Sequence, residues 1–133
     1  MGWLPGVDVT ASQPELTTRL DERRSRPGYT PVEAMRRSQR VGKDFLWSPF
    51  FAADRFLVYY ERHDWPQLSR LHLVSRDELV AFLEERIHPE RGEGADLTIT
   101  TFEMAEFLIT SHDGDLWFRR PSDWPAAKQM QAE

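Results

Sequence analysis

The stretch Leu97–Arg120, "LTITTFEMAEFLITSHDGDLWFRR", decides how the chain is read. Its centre, "FEMAEFLI", contains good helix formers, yet "TITT" before it and "FLIT" at its end crowd β-branched and aromatic residues together. An Asp-Gly pair then sits between two apolar runs, a strong short-range hairpin signal because Asp and Gly tolerate the positive φ that a tight turn needs. The stretch is therefore read as strands. With Asp113 and Gly114 as the two central turn residues, His112 faces Asp115, Ser111 faces Leu116, Thr110 faces Trp117 and Ile109 faces Phe118.

Upstream of this stretch the signals alternate between helix and strand. Ser75 followed by Glu78 forms a capping box, and Leu79, Val80, Leu83 and Ile87 then make an apolar stripe at helical spacing, with Glu84, Glu85 and Arg86 outside it. That helix ends in the charged loop "HPERGEGAD". "RFLVYYE" (Arg55–Glu61) is short and rich in β-branched and aromatic residues, as a strand with both faces at least partly covered would be. "SRLHLVS" alternates, placing Leu71 and Leu73 on one face and Arg70, His72 and Val74 on a more polar one. These two strands are expected to pair antiparallel through the loop "RHDWPQ", and "FLWSPFF" before them reads as an apolar connector packed on the core.

Two helices are expected at the N-terminus. Ser12 and Glu15 suggest a capped helix to about Arg24. Thr30, Pro31 and Glu33 start a second one, expected to end near Gly42. The element order predicts one α+β domain over residues 1–133, with a mostly antiparallel sheet of about four or five strands and helices packed on one face. Residues 1–11 and 125–133 are expected to fray, with Trp124 anchoring the last segment.

Composition narrows the chemistry. The chain has 133 residues, of which 40% are hydrophobic, enough to bury a core without staples. It has no cysteine, which excludes disulfides, a thiolate nucleophile and sulfur-based zinc sites. No run is long enough for a membrane span, the first residues lack the pattern of a signal peptide, and Gly6 stands where a myristoylation motif requires Ser or Thr. A cytoplasmic protein is expected. Charge is distributed unevenly: Arg19–Lys43 has eight basic residues against three acidic, whereas Arg76–Asp115 has eleven acidic against three basic. Such a separation can steer partners of opposite sign.

Catalytic candidates are few. His112, Asp113 and Asp115 could hold a metal, or His112 could act as a base oriented by Asp115. Turn chemistry accounts for Asp113 and Gly114 without either role, and no second histidine stands at ligand spacing. His63 joins His112 only if two hairpin tips meet; His72 lies on a strand and His88 at a helix end, where a partly positive imidazole suits the dipole. The chain carries no nucleophile elbow, Walker loop, dinucleotide fingerprint or HExxH motif.

The segments "FLVYYERHDW", "LVSRDELVAFLEE" and "TITTFEMAEFLITSHDGDLWF", between Arg55 and Phe118, together resemble the small α+β immunity proteins of bacterial polymorphic toxin systems. That resemblance implies stoichiometric binding to a cognate toxin through an acidic surface where the toxin is a basic nuclease, with no catalytic residue and no cofactor. The expected function is a non-enzymatic, immunity-like inhibitor. Its expected partner-binding residues are Glu84, Glu85, Glu90, Glu93, Asp96, Asp113 and Asp115, with Trp65 and Trp117 as aromatic anchors and no metal site. Two alternatives stand beside it: a small metal-dependent or acid-base enzyme using His63 and His112, and an adaptor that binds an acidic partner or nucleic acid through its arginine-rich N-terminal helices. The acidic balance of the whole chain counts against nucleic acid.

Overall fold

The structure, a computed structural model, describes residues 4–62, 64–86, 96–111 and 115–125. Within them the chain runs through β1 (Val7–Asp8), α1 (Pro14–Arg23), α2 (Pro31–Arg36), β2 (Gln39–Val41), two 3₁₀ turns (Lys43–Trp47 and Pro49–Ala52), β3 (Arg55–Tyr60), β4 (Arg70–Ser75), α3 (Arg76–Arg86), β5 (Leu97–Thr100), β6 (Phe107–Thr110) and β7 (Leu116–Arg119). Among the described residues seven strands form one sheet, in the order β1-β4-β3-β5-β6-β7-β2. Every neighbouring pair is antiparallel.

The α+β class and the antiparallel sheet follow the sequence reading; the strand number does not. Beyond the five longer strands, the sheet gains β1 and β2, of two and three residues, too short to carry a period. β1 lies in the segment expected to fray. It is docked instead, with Leu4 and Val9 buried and Val7 paired to Leu73. The close approach needs a residue without a side chain: Gly6 has φ +84°, and a Cβ there would lie 2.2 Å from the Leu73 carbonyl oxygen.

Helices cover both faces of the sheet rather than one. The cause is legible in β3, where Phe56 and Val58 enter the cluster containing Leu79, Phe82 and Leu83 of α3, while Leu57 and Tyr59 enter a second cluster with Leu16 and Leu20 of α1. A strand apolar on both sides needs a layer on both sides. His72, placed by alternation on a polar face, is likewise buried, and its Nδ1 lies 2.9 Å from the Pro5 carbonyl oxygen because the N-terminal segment covers that side of β4.

Two of the three expected capping boxes form. Glu33 N donates to Thr30 Oγ1 at 3.1 Å while Thr30 N donates to Glu33 Oε1 at 3.0 Å. Glu78 N donates to Ser75 Oγ at 3.3 Å, and the Ser75 hydroxyl donates to Glu78 Oε1 at 2.9 Å. The Ser12 box does not form: α1 begins after Gln13, which makes no side-chain cap bond, and the Ser12 hydroxyl is directed at Val9 O, 3.5 Å away. α2 stops at Arg36, short of Gly42, because the next residues leave the helix to pair with β7, and the Ser38 hydroxyl donates to Ala34 O at 2.9 Å.

The β6–β7 register is one residue away from that expected. Thr110 pairs with Leu116, Ile109 with Trp117 and Leu108 with Phe118, and Ser111 N donates to Asp115 O at 3.0 Å. Residues 112–114 thus separate the closing pair, and His112, Asp113 and Gly114 themselves lie outside the described residues. Burial explains the shift: this register puts Leu108, Leu116 and Phe118 on the α3 side together, where Phe118 packs 5.0 Å from Phe45, whereas a two-residue turn would divide them between faces. Between β5 and β6 the helix-favouring "TFEMAE" is a loop that buries Met104, at φ +53°, beneath α1.

Candidate partner-binding surface

The 3₁₀ turns place Leu46, Phe50 and Phe51 in the core beside Phe56, as expected of an apolar connector, but they turn Trp47 outward, 76% exposed. Ser48 leaves the helical backbone between the two turns, and Pro49 opens the second. Trp47, Leu46, Pro49 and Phe51 form one wall of an open groove of about 720 Å³, and Val80 and Ala81 of α3 form the other. Arg76, Asp77 and Glu84 also line it. Arg76 Nε is 3.5 Å from Asp77 Oδ1, which leaves Glu84 as the groove's carboxylate without an ion pair among the described residues. Glu85 stands next to it, exposed.

The remaining expected site residues are dispersed. Trp65, 52% exposed, lies in the β3–β4 loop, which is held by two bonds from the Arg62 guanidinium to Asp64, each 2.9 Å, and by Arg62 N donating to Ser69 Oγ at 2.8 Å. The same guanidinium keeps the Asp64 carboxyl below the usual carboxylate range. Asp96, exposed, immediately precedes β5. Asp115 is half-buried and neutralised by Arg40 at 2.7 Å, and Trp117 lies on the sheet face opposite α3, beside Ile109. Glu90, Glu93 and Asp113 lie outside the described residues, as do His63, His88 and His112. Among the described residues no three His, Cys, Asp or Glu side chains converge as a metal site would require.

The arginine-rich helices occupy the other face, and several of their guanidinium groups are engaged within the fold. Arg24 makes a two-pronged contact with Glu61, at 2.9 and 3.1 Å, and lies 3.2 Å from Asp21. Its Cζ sits 5.9 Å from the Tyr59 ring centre, and burial raises the pKa of that phenol. Arg19 donates to Phe102 O at 3.2 Å, and Arg37 lies over the Tyr29 ring. Two residues that the sequence reading passed over stand out. Trp47 gives no periodic signal inside a run of aromatics; Arg119 is legible only from the alternation of "LWFR", which sets Leu116 and Phe118 against Trp117 and Arg119.

No family model, curated protein or solved structure matches this chain. No helix among the described residues is long and apolar enough to cross a membrane.

Proposed function

We propose that the chain is a non-enzymatic protein-binding module, an immunity-like inhibitor, and that it engages a basic toxin domain through the α3 side of the sheet. The observation that carries this is Trp47, a largely exposed indole on the wall of a groove that Glu84 also lines. Large aromatics in a position to be desolvated dominate binding energy, while nearby carboxylates mainly accelerate encounter with a cationic surface. Glu84 and Glu85 supply that field from α3. Of the other expected residues, Trp65 and Asp96 lie in loops outside the groove lining, Asp115 and Trp117 face away from α3, and Glu90 and Glu93 lie outside the described residues.

The test uses the product of the open reading frame next to this gene. Binding kinetics are measured at low and high salt for wild type, Trp47→Ala, and Glu84→Lys combined with Glu85→Lys. Removing the indole is expected to cost about 2 kcal/mol or more, roughly a thirtyfold rise in Kd carried by faster dissociation. The charge reversal is expected to slow association and flatten its salt dependence. Failure of that product to bind, or wild-type kinetics in both variants, refutes the proposal.

A further inference from the structure

The arginines of the described residues differ in how they are paired. Arg24 is paired with Glu61, Arg40 with Asp115, Arg62 with Asp64, and Arg120 with Glu106. Arg119 has no carboxylate partner among the described residues, although it is half-buried on β7 opposite Phe107. Its one bond is from Nε to Ser38 Oγ, at 2.7 Å. The Ser38 hydroxyl has already committed its proton to Ala34 O, so its oxygen is held as an acceptor and the guanidinium plane is fixed. Both terminal nitrogens remain unpaired among the described residues and neither is sealed from solvent. Burial, and to a lesser degree the charge of Arg24, holds the Arg119 pKa below its ordinary value.

A half-buried cation without a carboxylate is costly unless an anion joins it. The free edge of a fixed guanidinium presents two parallel donors, the geometry that grips an oxyanion in two-pronged fashion. A phosphate monoester offers three acceptor oxygens, so two can meet this edge while the ester oxygen carries the rest of the ligand. The basic excess of the stretch Arg19–Lys43 would draw such a ligand, and Trp117, two residues earlier on the same side of β7, offers an apolar surface to whatever the anion is attached to.

We propose that Arg119, oriented by Ser38, binds the phosphate group of a phosphate monoester. This site is separate from the α3 surface and stands or falls independently of the inhibitor reading.

The experiment is an NMR titration of the full chain with inorganic phosphate and with phenyl phosphate, chloride being adjusted to hold ionic strength constant. Expected are saturable shifts with one-to-one stoichiometry, centred on the Arg119 Nε–H and the amides of Ser38 and Trp117. Arg119→Gln should weaken binding at least tenfold, and Arg119→Lys, which keeps the charge but loses the fork, should weaken it similarly. Ser38→Ala should weaken it severalfold without changing net charge, while Arg36→Gln, at the exposed end of α2, should bind as wild type does. Tighter binding of phenyl phosphate that falls to the inorganic phosphate level in Trp117→Ala supports the monoester. A non-saturating drift in wild type, wild-type affinity in Arg119→Lys, or equal weakening by Arg36→Gln overturns the proposal. The lysine variant keeps the test decisive even if the glutamine variant fails to fold.

Discussion

Replacing Gly6 by alanine is expected to detach the N-terminal strand from β4. The new Cβ would meet backbone, 2.2 Å from Leu73 O, and the side chain of Val74 at 2.7 Å, so no rotamer change relieves it. The φ of +84° adds strain of its own for an L-residue. The less costly outcome is for the segment to lift away, giving up the burial of Leu4 and the short β1–β4 pairing. Burial of one leucine contributes about 1.5–3 kcal/mol and each backbone bond about 1 kcal/mol, so a loss of about 2–4 kcal/mol is expected. For a domain of this size that corresponds to a fall in Tm of roughly 8–15 °C. Thermal unfolding measures the loss, and hydrogen exchange locates it: the Leu71 amide, which donates to Thr10 Oγ1 at 2.8 Å, should exchange faster than amides in β5. A Tm within about 2 °C of wild type, with Leu71 still protected, would refute the reasoning.

Two further outcomes follow from the fold. Thr30→Ala should cost about 1 kcal/mol near neutral pH through loss of the α2 cap. The Thr30 bonds hold the Glu33 carboxyl below its ordinary 4.5, so the box contributes fully above that value and is lost as pH falls through the lower folded value; urea melts should therefore show the mutational gap shrinking at acid pH. In this cysteine-free chain, Thr110→Cys with Leu116→Cys should oxidise to a disulfide, because the Ser111–Asp115 bond makes the neighbouring Thr110–Leu116 pair the close, non-hydrogen-bonded kind, whereas Thr110→Cys with Trp117→Cys should remain reduced in a thiol assay. The reverse result would restore the two-residue turn.

Where the sequence reading succeeded, local chemistry and tertiary packing agreed. Thr30 with Glu33 and Ser75 with Glu78 start helices because cap and apolar stripe point to the same place, and "RFLVYY" pairs antiparallel with "RLHLVS" as their composition suggests. Where it failed, a distant partner decided. Asp-Gly favours a two-residue turn, but the register was set by which of Leu116 and Trp117 joins Leu108 and Phe45. Gln39–Val41 looks like the end of a helix until β7 offers it an edge, and His72 looks exposed until Pro5 lies over it. The acidic character of α3 was legible; the outward turn of Trp47 and the pairing state of Arg119 were not, since each depends on 3₁₀ geometry or cross-strand neighbours that no local pattern encodes.

The two shortest strands, β1 and β2, both come from the chain up to Val41, and they occupy the two opposite margins of the sheet. The N-terminal part of the polypeptide is thus a clasp around a body made later. During synthesis β2 has no partner until Leu116–Arg119 has left the ribosome. Once closed, the clasp covers His72 and Leu73 of β4 and Leu116, Trp117 and Phe118 of β7 with strips of two and three residues. Short margins give neighbouring molecules little backbone to pair with. Detaching these strands would therefore lengthen the open edges as well as uncover Leu4 and Val9, so the arrangement protects solubility alongside stability.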